Sequence, residues 1–273
     1  MGKGAHGRCV KTNLDALLTA LYVHLDDQVL PWRQSSPQRG RPRTLSNAEL
    51  VCVAVAQVLL GCDAKRRWLR LAPARIGHLF PRLPCQAQYN RHLRTLGPVW
   101  VAVACWLARA TPTWHERLRL MDGTPVRCGA SRVTANRSSL GEIAGYGHDT
   151  SHHAFYWGAK LMLVTIAERA VCAFSLAHPK ELDERKQAVH LLHVRPPAEG
   201  PCPIVCDKGF AGAGIEAVIW TLKNQLGLER HRARTTDGLW TRISQRIVAL
   251  NAAIWHNWLT NQPIKRSLIA YDH

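Results

Sequence analysis

The chain has 273 residues, 36 Lys and Arg against 19 Asp and Glu, and a formal net charge of +17. With 47% hydrophobic and 20% charged residues, the composition excludes a disordered polyelectrolyte, and the length is ample for one large domain or two small ones. A folded chain this basic implies a polyanionic partner, of which nucleic acid is the commonest.

The charge is unevenly placed. Residues 1–112 hold 16 of the 36 basic side chains but only 5 of the 19 acidic ones, so the first part reads as the more dedicated anion binder. The cysteines are nine, an odd number, with no CxxC pair, a pattern of free thiols in a reducing cytoplasm. No charged start followed by a long apolar run is present, and the apolar stretches near 50–60 and 98–108 are too short to span a bilayer. Neither a secretory leader nor a membrane is expected.

Leu14, Leu17, Leu18, Leu21 and Leu25 recur at the helical period, which predicts an amphipathic helix over 13–30 closed by Pro31. Residues 34–44, rich in Pro, Gly, Ser and Arg, read as a basic linker. Ser46 and Glu49 have the spacing of a capping box, opening a helix that runs to Gly61. The cluster Lys65, Arg66, Arg67 and Arg70 beside Trp68 follows, with helical segments expected at 74–80, 88–95 and 98–110. After the Pro112 to Trp114 break, Leu118, Leu120 and Met121 alternate with Arg117, Arg119 and Asp122, as in a strand. Further strands are predicted at 158–166, 170–176 and 203–206, and helices at 181–194, 215–229 and 238–260. The expectation is therefore a helical segment, 1–112, followed by an α/β one, 113–273.

Asp122 and Asp207 each end a predicted strand, the edge at which α/β sheets usually place their sites. Asp-Gly and Asp-x-Gly are also ordinary turn sequences. Glu216 opens a helix, with Lys223 and Arg230 at steps of seven, close to two turns, so the three share a face. The side chains Arg39, Arg41, Arg43, Lys65, Arg66, Arg67, Lys208, Arg230, His231, Arg232 and Arg234 are candidate phosphate contacts, with solvated surface as the plain alternative. His148, His152 and His153 match no closed zinc site and read as loop polar groups. Trp240, Trp255 and Trp258, in helical step with Ile243, Ile247, Leu250 and Ile254, read as core, as do Cys202 and Cys206.

The order strand-Asp, strand-Asp-x-Gly, helix-Glu with Lys seven positions on resembles the DDE transposases of bacterial insertion sequences, most nearly insertion-sequence family 982. The likeness covers nearly the whole chain. It rests on ordered blocks: Arg66-Arg67-Trp68-Leu69-Arg70, Gly77-His78-Leu79-Phe80-Pro81, Met121-Asp122-Gly123-Thr124-Pro125, Ala144-Gly145-Tyr146-Gly147, Phe155-Tyr156-Trp157-Gly158, Asp207-Lys208-Gly209-Phe210 and Leu222-Lys223-Asn224-Gln225-Leu226. The resemblance implies an RNase H-like catalytic domain after an all-α DNA-binding domain. It also implies Asp122, Asp207 and Glu216 as ligands of two Mg²⁺ or Mn²⁺ ions, with Lys223 at the basic position. A transposase of this kind cuts and joins DNA strands at its element's terminal repeats, acting as a homodimer in the cytoplasm, on the nucleoid.

One departure stands out. Only 8 residues separate Asp207 from Glu216, whereas a helix, a strand and their turns, expected there, need on the order of 30. Ala211-Gly212-Ala213-Gly214 reads as the seam of a deletion, with Gly212 where relatives carry an arginine. A chain so shortened is expected to have impaired chemistry. The alternative is an inactive remnant that only binds element-end DNA.

Overall fold

The computed structural model describes residues 13–30, 43–149, 153–180, 184–194, 197, 200–206, 212–264 and 266–271. The expected capping box is formed: Glu49 N donates to Ser46 Oγ at 3.1 Å and Ser46 N to the Glu49 carboxylate at 2.7 Å. It starts α2 (Asn47–Leu59), which follows α1 (Asn13–His24) with its π-helical extension Leu25–Val29. Next come α3 (Lys65–Ile76), α4 (Gln86–Thr95) and α5 (Gly97–Arg109). The basic cluster is thus inside a helix rather than ahead of one. Trp68, Ala72 and Ile76, four apart, are buried and leave Arg66, Arg67 and Arg70 exposed.

The second part is a mixed sheet of five strands: β1 (Arg119–Gly129), β2 (Gly145–Asp149), β3 (Ala154–Ile166), β4 (Val171–Ala177) and β5 (Ile204–Cys206). The strand order is β2-β3-β1-β5, with β4 also on β3. All pairings are antiparallel except β1 with β5. A strand has two edges, so β2 and β4 share one edge of the 13-residue β3, at its first and second halves, while β1 lines the other. Helices α6 (Arg132–Arg137), α7 (Glu184–Val194), α8 (Gly212–Trp220) and α9 (Thr236–Leu259) complete the chain. The molecule is mixed α/β. Strand β2 is not foreseen in the sequence, and the presumed seam is in part helix, since α8 already begins at Gly212.

Two buried polar residues brace the core, and one of them, Asn251, joins the two parts. Asn251 on α9 donates to the Ala104 carbonyl of α5 and to Val171 O, both at 2.8 Å, and accepts from Val171 N at 2.9 Å. Arg119, 1% exposed, has carbonyls for partners: Trp114 at 2.9 Å, Leu118 at 3.0 Å, Pro197 at 3.2 Å, and Glu116. Its guanidinium also lies over the Trp114 ring. Helix α9 packs on α1, α2, α4 and α5, and the apolar core is continuous across residue 112. Trp255 is buried and Trp240 stacks on Phe174 at 5.1 Å, whereas Trp258 is 39% exposed. Trp258 therefore departs from the core assignment. Among the described residues no helix is long and apolar enough to cross a membrane, and the eight described cysteines are free.

Candidate functional site: an acidic cleft beside β1

Among the described residues strand β5, Ile204–Cys206, pairs with Arg119, Leu120 and Met121 of β1. Beyond Met121, β1 keeps one neighbour, β3, among the described residues. That half-paired stretch tolerates Pro125, which has no amide hydrogen to give a second ladder. It also opens a cleft. Helix α8 closes the far wall, approaching so near that a side chain on Gly214 would lie 2.8 Å from Leu120 Cδ1.

The cleft, ≈ 600 Å³, is lined by Asp122 from β1, Asp149 from the end of β2, Glu216 from α8, Lys223 from the π-helical segment Thr221–Gln225, and Glu229. Asp122, Glu216 and Lys223, which the sequence singles out, are thereby brought to one cavity. Asp207 and Lys208 lie outside the described residues. Strand β5 does end at Cys206, the partner of Met121 in the parallel ladder. The Cys206 thiol is held above its ordinary value by partial desolvation and by the Asp122 carboxylate nearby. Cys206 is exposed, not the core thiol expected, because it terminates so short a strand.

Asp122 is half-buried, and its Oδ1 accepts from the Gly123 amide at 2.7 Å. Asp149 is 8% exposed, and Glu216 is solvent-facing. The helix loosens after Trp220, with Leu226 N reaching back five residues to Thr221 O at 3.0 Å. Such π turns recur at functional sites. It ends at Gly227, whose φ of 63° suits a residue without Cβ.

Glu229 follows, 3.9 Å from both Lys223 Nζ and Arg127 Nε. Its loop is pinned from beneath. Arg246 donates to Gly227 O at 2.9 Å and contacts Asp63 at 3.4 Å, and Arg230 is 3.7 Å from that same aspartate. His231 Nδ1 accepts from Ala233 N at 3.0 Å, so its proton is on Nε2, which donates to Arg127 O at 3.1 Å. Burial, and after it Arg246 and Arg242, outweigh that carbonyl and bring the His231 pKa down to about 4. Arg246 is a positioning residue that no local pattern in the sequence announces, and His231, expected as a phosphate contact in the basic 230–234 run, is instead buried at 3% exposure and holds the loop. Asp149 and Glu229 escape detection for the same reason, since their role arises only when distant segments meet.

Three carboxylate residues, Asp122, Asp149 and Glu216, line the cleft, and oxygen donors of that type are the ones hard divalent cations take. The three do not close up, because among the described residues no three His, Cys, Asp or Glu side chains gather as a metal-binding group. His148, for its part, is exposed and packs edge-on against Phe155 at 4.9 Å.

The candidate phosphate contacts divide. Arg39 and Arg41 lie outside the described residues. Arg66, Arg67, Arg230, Arg232 and Arg234 are exposed, and Arg43 is half-buried, bonded to Asn47 Oδ1 at 3.0 Å. Lys65 differs. It lies over the Tyr89 ring, and burial first, then Arg242 and Arg94, brings its pKa down to about 7. No family model, curated protein or solved structure matches the chain.

Proposed function

We propose that the protein is derived from a DDE transposase of an insertion sequence. In this reading it binds the DNA at its element's ends, and the cleft between β1 and α8 is the site of metal-dependent strand cleavage and transfer. The observation that carries the reading is that Asp122 on β1 lines one cavity with Glu216 and Lys223, which lie far along the chain from it on the α8 stretch. Cys206, the residue before Asp207, pairs with Met121, the neighbour of Asp122 on β1. Asp122, Glu216 and Asp207 would hold Mg²⁺ or Mn²⁺, which supply activation of the attacking oxygen and charge neutralisation at the leaving one. Lys223 and Arg127 set positive charge at the same mouth, and the exposed arginines of α3 and of the 230–234 segment would hold the phosphodiester backbone.

A second reading, an inactive remnant that binds element-end DNA without cutting it, is favoured by a specific observation. The described carboxylates do not gather as a group of three, and misplacement of a ligand by about 1 Å can cost a hundredfold in rate. A labelled duplex carrying the repeat that flanks the gene separates the two. Cutting in Mg²⁺ or Mn²⁺ that is lost in Asp122→Asn supports the enzyme. Salt-sensitive binding with no cutting leaves the remnant. No binding to that duplex overturns both.

A further inference from the structure

A second cavity adjoins the acidic cleft, sharing Arg127 and Glu229 with it, and is of different character. It is the larger, ≈ 970 Å³, and runs between the end of β1, the β2–β3 hairpin and the 229–233 segment. The hairpin register sets its aromatic wall. Tyr146 pairs with Trp157 and His148 with Phe155. Residues two apart on a strand share a face, so these four rings lie together on one side of the hairpin. Phe155 is 82% exposed and Tyr146 47%, with the His148 ring propping Phe155 from the side. One exposed aromatic ring is ordinary. Two on the same face of the hairpin, in a groove also lined by Arg127, Arg132, Arg230 and Arg232, combine a stacking surface with cations. The one carboxylate in that lining, Glu229, is already engaged by Arg127 and Lys223.

We propose that this groove holds an unpaired stretch of DNA strand, its bases stacking on Phe155 and Tyr146 while the four arginines face its phosphates. Base stacking on aromatic rings tolerates any sequence, and a cationic groove tracks the backbone. A duplex cannot present base faces to Phe155 without being opened, so the groove selects a frayed or overhanging end. Through the shared Arg127 and Glu229 it would lead that strand toward the cavity of Asp122 and Glu216. The inference rests on the reading above that DNA is the partner, and adds to it which form of DNA is gripped and where.

The test is fluorescence anisotropy at fixed salt on the full chain, comparing a blunt duplex with the same duplex carrying a short unpaired overhang. A 2-aminopurine base in the overhang reports stacking. Wild type is expected to bind the overhang form roughly tenfold more tightly and to quench the 2-aminopurine. Phe155→Ala loses both effects and keeps blunt-duplex affinity, while Phe155→Trp retains them. Equal affinity of wild type for the two duplexes, or an overhang gain that survives in Phe155→Ala, overturns the groove proposal alone. Failure to bind either duplex overturns it together with the DNA reading.

Discussion

Lys223 and Glu229 stand 3.9 Å apart in the lining of the cavity that Asp122 and Glu216 share, and Arg127 Nε lies 3.9 Å from the same carboxylate oxygen. One glutamate thus restrains two cations that would otherwise be available to a phosphate. Both pairs are partly exposed, so Glu229→Gln should alter stability by no more than about 0.5 kcal/mol. It should raise duplex affinity several-fold at low salt, with a steeper salt dependence. Anisotropy titrations at two salt concentrations check this. An unchanged affinity would mean that Lys223 and Arg127 do not meet DNA.

Lys65 separates surface cations from buried ones. Its pKa near 7 lies below the unfolded value of about 10.4, so between those values the unfolded chain binds the extra proton. Stability should therefore rise with pH across that interval and carry the cost of a buried charge below it. Lys65→Met should raise Tm at neutral pH and flatten that rise. It should also weaken DNA binding less than Arg66→Gln. A larger loss of affinity in the lysine variant would restore it as a phosphate contact.

His231 gives the opposite end of the pH scale. Folded, it takes up a proton only near pH 4, whereas an unfolded imidazole does so at about 6.5. Falling pH therefore favours the unfolded chain through that window. The loss is complete near pH 4 and amounts to about 3 kcal/mol for this group. Urea unfolding at pH 7.5 and pH 5 should show a smaller drop in His231→Gln than in wild type. Equal drops would contradict the buried, neutral assignment.

Asn251 is the test of the shared core. Replacing it by Leu takes the partner described above from Val171 N and Val171 O, and a second donor from Ala104 O, which stays within the α5 ladder. Buried unsatisfied groups cost about 1–3 kcal/mol apiece, so a loss of about 3 kcal/mol or more is expected in denaturant unfolding. It should fall on helical and sheet parts together, in a single transition. Two transitions would show that the parts unfold independently.

Much of this architecture is legible in the sequence where a local signal exists. Ser46 and Glu49 announce α2, and the Ile243, Ile247, Leu250 and Ile254 stripe announces α9. Other parts carry no such signal. Helix α3 is masked by its arginines, leaving Trp68, Ala72 and Ile76 as a sparse apolar row. Strand β2, Gly145–Asp149, has no alternating apolar face of its own and exists because β3 supplies the ladder. The candidate carboxylates on β1 and α8 are visible as residue types, but Asp122, expected at the end of its strand, lies inside β1, which runs on to Gly129 because β3 continues the ladder past it. Asp149 and Glu229, and the loop supports Arg246 and His231, are defined by which segments meet, and spacing along the chain does not encode that.

In the proposed function Asp122 and Glu216 serve one cleavage site. The most direct measurement is Mg²⁺- or Mn²⁺-dependent nicking of a labelled duplex bearing the flanking repeat, by wild type, Asp122→Asn and Glu216→Gln. If the shared cleft works, wild type cuts and both variants lose cutting while keeping salt-sensitive binding. Cutting that survives in Glu216→Gln, with Asp122→Asn inactive, would contradict a joint site and detach α8 from the chemistry.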